Sequence, residues 1–174
     1  MGKEVDTEWF LGKLKEHAQP TTSQINVGRY MEYFRPYVEA GTPVLYLGFS
    51  SGMSGSFQSA VQAVALLKEE YKEVAITLID TRSASLGEGF LVAEAAQQKA
   101  QGRSLLEVSQ WVEENKLRLD SWVTVDDLKQ LERGGRISKT AAAIGGLLNV
   151  KPIITVDTAG KLRSVDRVRA VSYT

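Results

Sequence analysis

Residues 44–59, VLYLGFSSGMSGSFQS, begin as a short unbroken apolar run and end as the opening of a helix. An apolar run of this length fits a strand covered on both faces, as in a parallel sheet flanked by helices. The helix is announced by Phe57, Ala60, Val61, Val64 and Leu67, which recur at helical spacing. Between strand and helix lies a turn rich in serine and glycine. Open α/β sheets bind their ligands just outside the carboxyl ends of their strands, which is where this turn falls. One stretch therefore points both to the fold class and to the place where function is to be sought.

Outward from it, VAITLID (74–80) reads as a second buried strand. Strands that alternate with helices of this length imply βαβ units and a parallel sheet. Asp6 and Thr7 can cap a first helix carrying Trp9, Phe10 and Leu14, which fades by Ala18 and is stopped by Pro20. A second helix from about Val27 puts Tyr30, Met31, Phe34 and Val38 on one stripe and ends at Gly41 and Pro43. Ser85 with Glu88, and Ser104 with Glu107, both have the spacing of capping boxes. SWVTV (121–125) is a third strand, and two short helices are expected on either side of Gly134-Gly135. KPIITV (151–156) and KLRSVDRV (161–168) form a hairpin around Thr158-Ala159-Gly160. With a boundary near Leu117 to Ser121, the expected fold is α/β. It has a mostly parallel sheet flanked by helices in residues 1–118 and the beginning of a second α/β domain in 119–174.

Composition narrows the function classes. Lys plus Arg and Asp plus Glu are 21 each, so the net charge is zero and no electrostatic footprint for nucleic acid is present. At most a transient membrane contact is expected, since no stretch approaches the roughly 18 to 20 apolar residues that cross a bilayer. The absence of cysteine removes thiolate chemistry and cysteine-bound metals. Asp126-Asp127 lacks a third carboxylate at useful spacing, so helix capping is the simpler reading and no metal is expected. The opening MGKEVDTEWF is too acidic for a signal peptide, and a cytoplasmic location is expected.

The turn admits two chemistries. Gly48-Phe49-Ser50-Ser51-Gly52 satisfies G-x-S-x-G, the nucleophile elbow of serine hydrolases. That reading needs a histidine after the serine, and the only histidine, His17, precedes it. A serine hydroxyl without a base is a poor nucleophile. The second reading needs only donors: backbone N–H groups at a helix start, with Ser50, Ser51, Ser54 and Ser56 beside them, make a concavity suited to an anion. Ser54 is equally placed to cap the helix. Neither G-x-x-x-x-G-K-[ST] nor G-x-G-x-x-G occurs, so no nucleotide is indicated. Asp80-Thr81-Arg82, at the end of the second strand, is expected to be a helix cap or an Asp–Arg pair.

PTTSQINVGRY (20–30), FSSGMSGSFQSA (49–60), IDTRSASLGEGFLV (79–92), VDDLKQLERGGRIS (125–138) and LLNVKPIITVDTAGKLRSVDRVR (147–169) succeed one another in a recognisable series. In order and rough spacing this series resembles the DegV family, the fatty-acid-binding proteins that serve bacterial fatty acid kinase. The resemblance implies a two-domain α/β protein that encloses one long-chain fatty acid as its ligand, with no other cofactor and no catalysis of its own. It implies that Thr22 and Ser23 of the first loop, with Ser51 and Ser54 of the second, hold the carboxylate. It further implies that a separate ATP-dependent kinase subunit phosphorylates that carboxylate in place, with Arg136 meeting the acyl phosphate or the kinase. Family members start with a strand and an Asp-Ser-Thr turn ahead of residue 1 and run well past Thr174. A shortened form of the family's architecture is therefore expected.

The chemistry is consistent with that implication. A buried carboxylate is costly unless hydrogen-bonded, and hydroxyls and amides can supply charge-assisted bonds worth roughly 1.5 to 3 kcal/mol each. Two other readings remain open on residues alone. The same turn could serve an enzyme or binding protein for a small phosphorylated ligand. Alternatively, the basic stretch of Arg133, Arg136 and Lys139 could dock a partner without any ligand.

Overall fold

The computed structural model describes residues 5–16, 18–125, 128–138 and 150–169. Helix α1 (Thr7–Lys15) is capped by the Asp6 carboxylate, which accepts from the Trp9 amide at 2.9 Å. Helix α2 (Val27–Glu39) starts on Asn26, whose side chain accepts from the Arg29 amide. Strand β1 (Val44–Gly48), helix α3 (Ser56–Glu70) and strand β2 (Ile76–Asp80) form the expected βαβ unit. β1 and β2 run parallel in register from Val44 opposite Ile76 to Gly48 opposite Asp80. Their carboxyl ends, and the turns that leave them, therefore lie side by side.

Helices cover both faces of this pair. On one face Tyr30 and Phe34 of α2 pack on Ala60, Ala63, Val64 and Leu67 of α3, with Tyr46 beneath. The two alanines let the helices approach closely, and Leu67, fully buried, contributes about 1.5–3 kcal/mol. Tyr46 meets Tyr30 and Phe34 edge-on, and the Tyr30 and Tyr46 hydroxyls hydrogen-bond at 2.8 Å. Burial is the main cause, and that bond the next, of the raised pKa of the Tyr46 hydroxyl. On the opposite face Leu45, Leu47 and Ile79 pack against Ala95 of α4 (Ser85–Ala100) and Val108 and Val112 of α5 (Leu105–Asn115). Alternation along β1 thus feeds two cores.

A single 3₁₀ turn, Lys116–Arg118, leads to β3 (Trp122–Thr124). This third strand does not widen the parallel sheet. It pairs antiparallel with β4 (Val150–Val156), which pairs antiparallel with β5 (Leu162–Arg169), giving a three-stranded second sheet in the order β3-β4-β5. Leu128, Ile137 and Ile154 form its small core, with α6 (Lys129–Arg133) beside it. Among the described residues the parallel part is thus two strands wide, and the hairpin around residues 158–160 forms as its pattern indicated.

Helix α1 forms where expected and buries none of its residues, with Trp9 57% exposed. Two local expectations need correction. Ser104 and Glu107 make the full capping box, but Ser85 and Glu88 do not. The N-cap of α4 is Ala84, which moves the third helical position to Gly87 and leaves Glu88 out of step. The Asp80 carboxylate neither caps a helix nor pairs with the Arg82 guanidinium; it holds the turn that leaves β1. His17, Asp126-Asp127 and the apolar segment 139–148 lie outside the described residues.

Candidate functional site

The site begins where β1 and β2 end. The Gly48 carbonyl accepts from both the Thr81 amide (3.1 Å) and the Thr81 hydroxyl (2.7 Å), tying the two strand ends together. The Ser50 amide donates to the Ser83 carbonyl at 2.9 Å, and the Ser50 carbonyl accepts from the amides of Met53 and Ser54. Asp80 then fixes the outer half of the turn. Its carboxylate accepts from the Ser51 amide at 3.2 Å, the Ser51 hydroxyl at 2.5 Å and the Arg82 amide at 3.0 Å. Both donors of Ser51 point at an acidic group, so an anion bound at Ser51 has to displace that contact.

Ser54 lies between the turn and α3. Its hydroxyl oxygen accepts from the Ser56 amide at 3.2 Å, and the hydroxyl donates to the Ser56 oxygen at 3.0 Å. The N-cap of α3 is Gly55, with no side-chain capping bond, so Ser54 does not take the capping position open to it in the sequence; it sits one residue earlier, half-buried at the helix entrance. Thr22 and Ser23 are exposed on the irregular segment before α2. The next two residues are anchored: the Gln24 amide group donates to the Ser59 hydroxyl at 3.4 Å, and the Ile25 amide to the Ser56 hydroxyl at 3.1 Å. The structure thus brings the first loop against the helix that starts after the second, though the two are some thirty residues apart.

Arg136 reaches the same place from the second sheet. Its Nε donates to the Met53 carbonyl at 2.9 Å and one terminal nitrogen donates to the Gly134 carbonyl. It braces the turn. Beside it a groove of about 510 Å³ runs past Gly52, Ile137, Lys161, Arg163 and Ser164, lined among the described residues by three cations and no acid.

The hairpin 157–161 closes over the turn. Ser50, fully buried, donates to the Gly160 carbonyl at 2.6 Å and accepts from the Gly52 amide at 3.1 Å. Arg82 donates to the Thr158 carbonyl at 2.8 Å. A side chain at position 52 would put its Cβ 2.5 Å from the Ala159 carbonyl oxygen, so only glycine fits. Ser50 is thus a clasp, not an exposed nucleophile, which explains its place in G-x-S-x-G. Its partner is 110 residues away in sequence, and no local pattern could have identified it. Nor did the sequence single out Gln24, whose docking is visible only in three dimensions. Among the described residues no group of His, Asp and Glu is arranged to hold a metal ion, and no helix is long and apolar enough to cross a membrane.

A model of the family described as "Uncharacterised protein, DegV family" matches residues 1–173. The chain belongs to the DegV family. A DegV domain-containing protein of Clostridium perfringens is 47% identical over 166 residues, covering 95% of this chain and 57% of the relative. One of Lactococcus lactis is 43% identical over 165 residues, again covering 95% and 57%. This DegV chain therefore spans rather more than half the length of the curated relatives it matches.

Solved structures agree on the fold. A stearic acid-binding protein from Eubacterium ventriosum superposes with a TM-score of 0.86 at 28% identity, over 97% of this chain and 58% of the other. A fatty-acid-binding DegV protein from Thermus thermophilus gives a TM-score of 0.80 at 33% identity, over 97% and 59%. A Streptococcus pneumoniae fatty acid kinase B3 protein loaded with linoleic acid shares the fold, with a TM-score of 0.83 at 20% identity over 97% and 59%.

Proposed function

We propose that this DegV chain carries a long-chain fatty acid and holds its carboxylate with hydroxyls and backbone amides at the Ser-Ser-Gly turn. The observation that carries the reading is the meeting of two hydroxyl-bearing segments at the carboxyl end of a parallel strand. The loop of Thr22 and Ser23 is pinned by Gln24 and Ile25 to the start of α3, next to Ser54. Neutral donors suit an acid that must later react, because no strong ion pair has to be broken before the oxygen becomes a nucleophile. That two solved relatives of the same fold bind fatty acids supports the choice of ligand.

In this reading the chain performs no catalysis of its own. A separate ATP-dependent kinase subunit phosphorylates the carboxylate, and Arg136 braces the turn and faces the incoming phosphoryl group. Residues 1–118 form the acid-binding domain and 119–174 the beginning of the second. Ser54→Ala should weaken fatty acid binding by about 1 to 3 kcal/mol, roughly five- to 150-fold, with helix content unchanged. The measurement is displacement of a fluorescent long-chain acid. Unchanged affinity removes Ser54 from the site.

The cationic groove of Arg136, Lys161 and Arg163 favours a second reading, a small phosphorylated ligand at the same turn. Mass spectrometry of an organic extract of the purified protein separates the two: a long-chain acid supports the carrier, a polar phosphate the alternative.

A further inference from the structure

We infer that Gln24 and Ser56 are positioning residues that set the distance between the two halves of the carboxylate site; this rests on the fatty-acid reading above. Thr22 and Ser23 are exposed and lie outside any helix or strand, so no regular element fixes them relative to Ser54. The next pair of residues does. The Ile25 amide donates to the Ser56 oxygen, and the same oxygen accepts from Ser54 at 3.0 Å. One buried hydroxyl, that of Ser56, therefore bridges the first loop and the residue expected to grip the acid.

Gln24 provides the second tie and explains a glycine. A Cβ at Gly55 would stand 2.0 Å from the Gln24 Oε1 atom and 2.9 Å from its Cδ. Gly55 has φ −73° and ψ −1°, an ordinary helical conformation open to any residue, so its backbone does not require glycine. The space does. The bare position forms a seat for the Gln24 amide group, which from there reaches Ser59.

Ser56 also has a part in the chemistry. The Ser54 hydroxyl donates to Ser56. When a carboxylate arrives, Ser54 turns that proton to the acid, and Ser56 can reverse direction and donate to Ser54. Hydroxyls joined in this order polarise one another, so the bond to the acid gains strength. Ser56→Ala removes both the bridge and the reversal.

Gly55→Ala is the selective test, because the three atoms nearest the added methyl all belong to the end of the flexible Gln24 side chain. Affinity for a fluorescent C16 acid and thermal stability are to be measured for wild type, Ser54→Ala, Gly55→Ala, Gln24→Ala and the Gly55→Ala, Gln24→Ala double variant, with hydrogen exchange at the Ile25 amide. We expect Gly55→Ala and Gln24→Ala each to weaken binding about three- to tenfold with melting temperature unchanged. The double variant should be no worse than Gln24→Ala alone, since both act through one contact. Exchange at Ile25 should quicken in Gly55→Ala. If Ser54→Ala weakens binding while Gly55→Ala and Gln24→Ala do not, the positioning role is refuted and the carboxylate reading stands. If Ser54→Ala has no effect, or wild type binds no acid, both are overturned. Unchanged exchange at Ile25 refutes the docking itself.

Discussion

The closure of the hairpin over the turn can be measured by comparing two glycines that differ in one respect. Gly135 and Gly160 both have left-handed backbones, with φ +72° and +73°. Alanine at either position costs roughly 1–2 kcal/mol for that conformation alone. At Gly135 a Cβ meets nothing within 4 Å, so that is the whole cost. At Gly160 it lies 2.2 Å from the Ser50 oxygen and 3.1 Å from the Arg82 Cα. Ser50 can yield only by leaving the Gly160 carbonyl and the Gly52 amide, and a buried polar group stripped of its partner costs a further 1–3 kcal/mol or so. Gly160→Ala should therefore be less stable than Gly135→Ala by about 1–3 kcal/mol. For a chain of this size that is a melting-temperature difference of roughly 2–12 °C. Urea unfolding of both variants gives the difference directly. The excess should shrink sharply in a Ser50→Ala background, where the hydroxyl is already gone. A difference below about 0.5 kcal/mol between the two variants, in wild-type background, would refute the clasp.

Arg136→Ala should loosen the turn as well as remove a cation, lowering stability by about 1–3 kcal/mol, and Arg136→Lys should fail to restore it, because an ammonium cannot bridge the Met53 and Gly134 carbonyls in one plane; chemical unfolding of the three proteins checks this. Ser50 should not react with a fluorophosphonate probe, and ester hydrolysis should equal that of Ser50→Ala; serine-dependent labelling would overturn the non-catalytic reading. Ser104→Ala should cost about 1 kcal/mol through loss of the cap of α5. Hydrogen bonds from the Ser104 hydroxyl and then its amide hold the Glu107 carboxyl below the usual carboxylate range. A depressed folded-state pKa stabilises at pH values above the unfolded one and is lost as pH falls through the folded one, so the stability gap between wild type and Ser104→Ala should narrow in acid.

The local and periodic part of the molecule was legible in the sequence. The apolar run at 44–48, the stripe of α3 and the Ser104–Glu107 box each carry their instructions within about a dozen residues, and all form. The Ser85 pattern failed because a capping signature is specific to one residue, and the chain places Ala84 in the extended N-cap conformation instead. The pairing of β3 was hidden because a three-residue strand contains no information about whether its neighbour will be parallel β2 or antiparallel β4. In the candidate site, Thr22, Ser23, Ser51 and Ser54 were named by motif resemblance alone. Their ties were not: Ser50 to Gly160, Arg136 to Met53 and Gln24 to the seat at Gly55 are contacts across long stretches of chain. Asp80 was misread because two flanking letters suggested an ion pair, when its nearest donors are Ser51 and a backbone amide.

The bond between Ser50 and Gly160 also orders events in time. It closes a loop of 110 residues, so it cannot exist until the hairpin has been synthesised and has reached the end of β1. The βαβ unit that carries Ser51 and Ser54 needs only chain up to residue 80 and can assemble from nearer contacts first. During that interval the turn has its sequence and its flanking strands but not its lid: Gly52 has no carbonyl above it, and the Met53 carbonyl has no guanidinium. A chain made only as far as β2 therefore holds the strands and the turn but none of the partners that close it, and the final shape of the turn waits on residues 136 and 157–161.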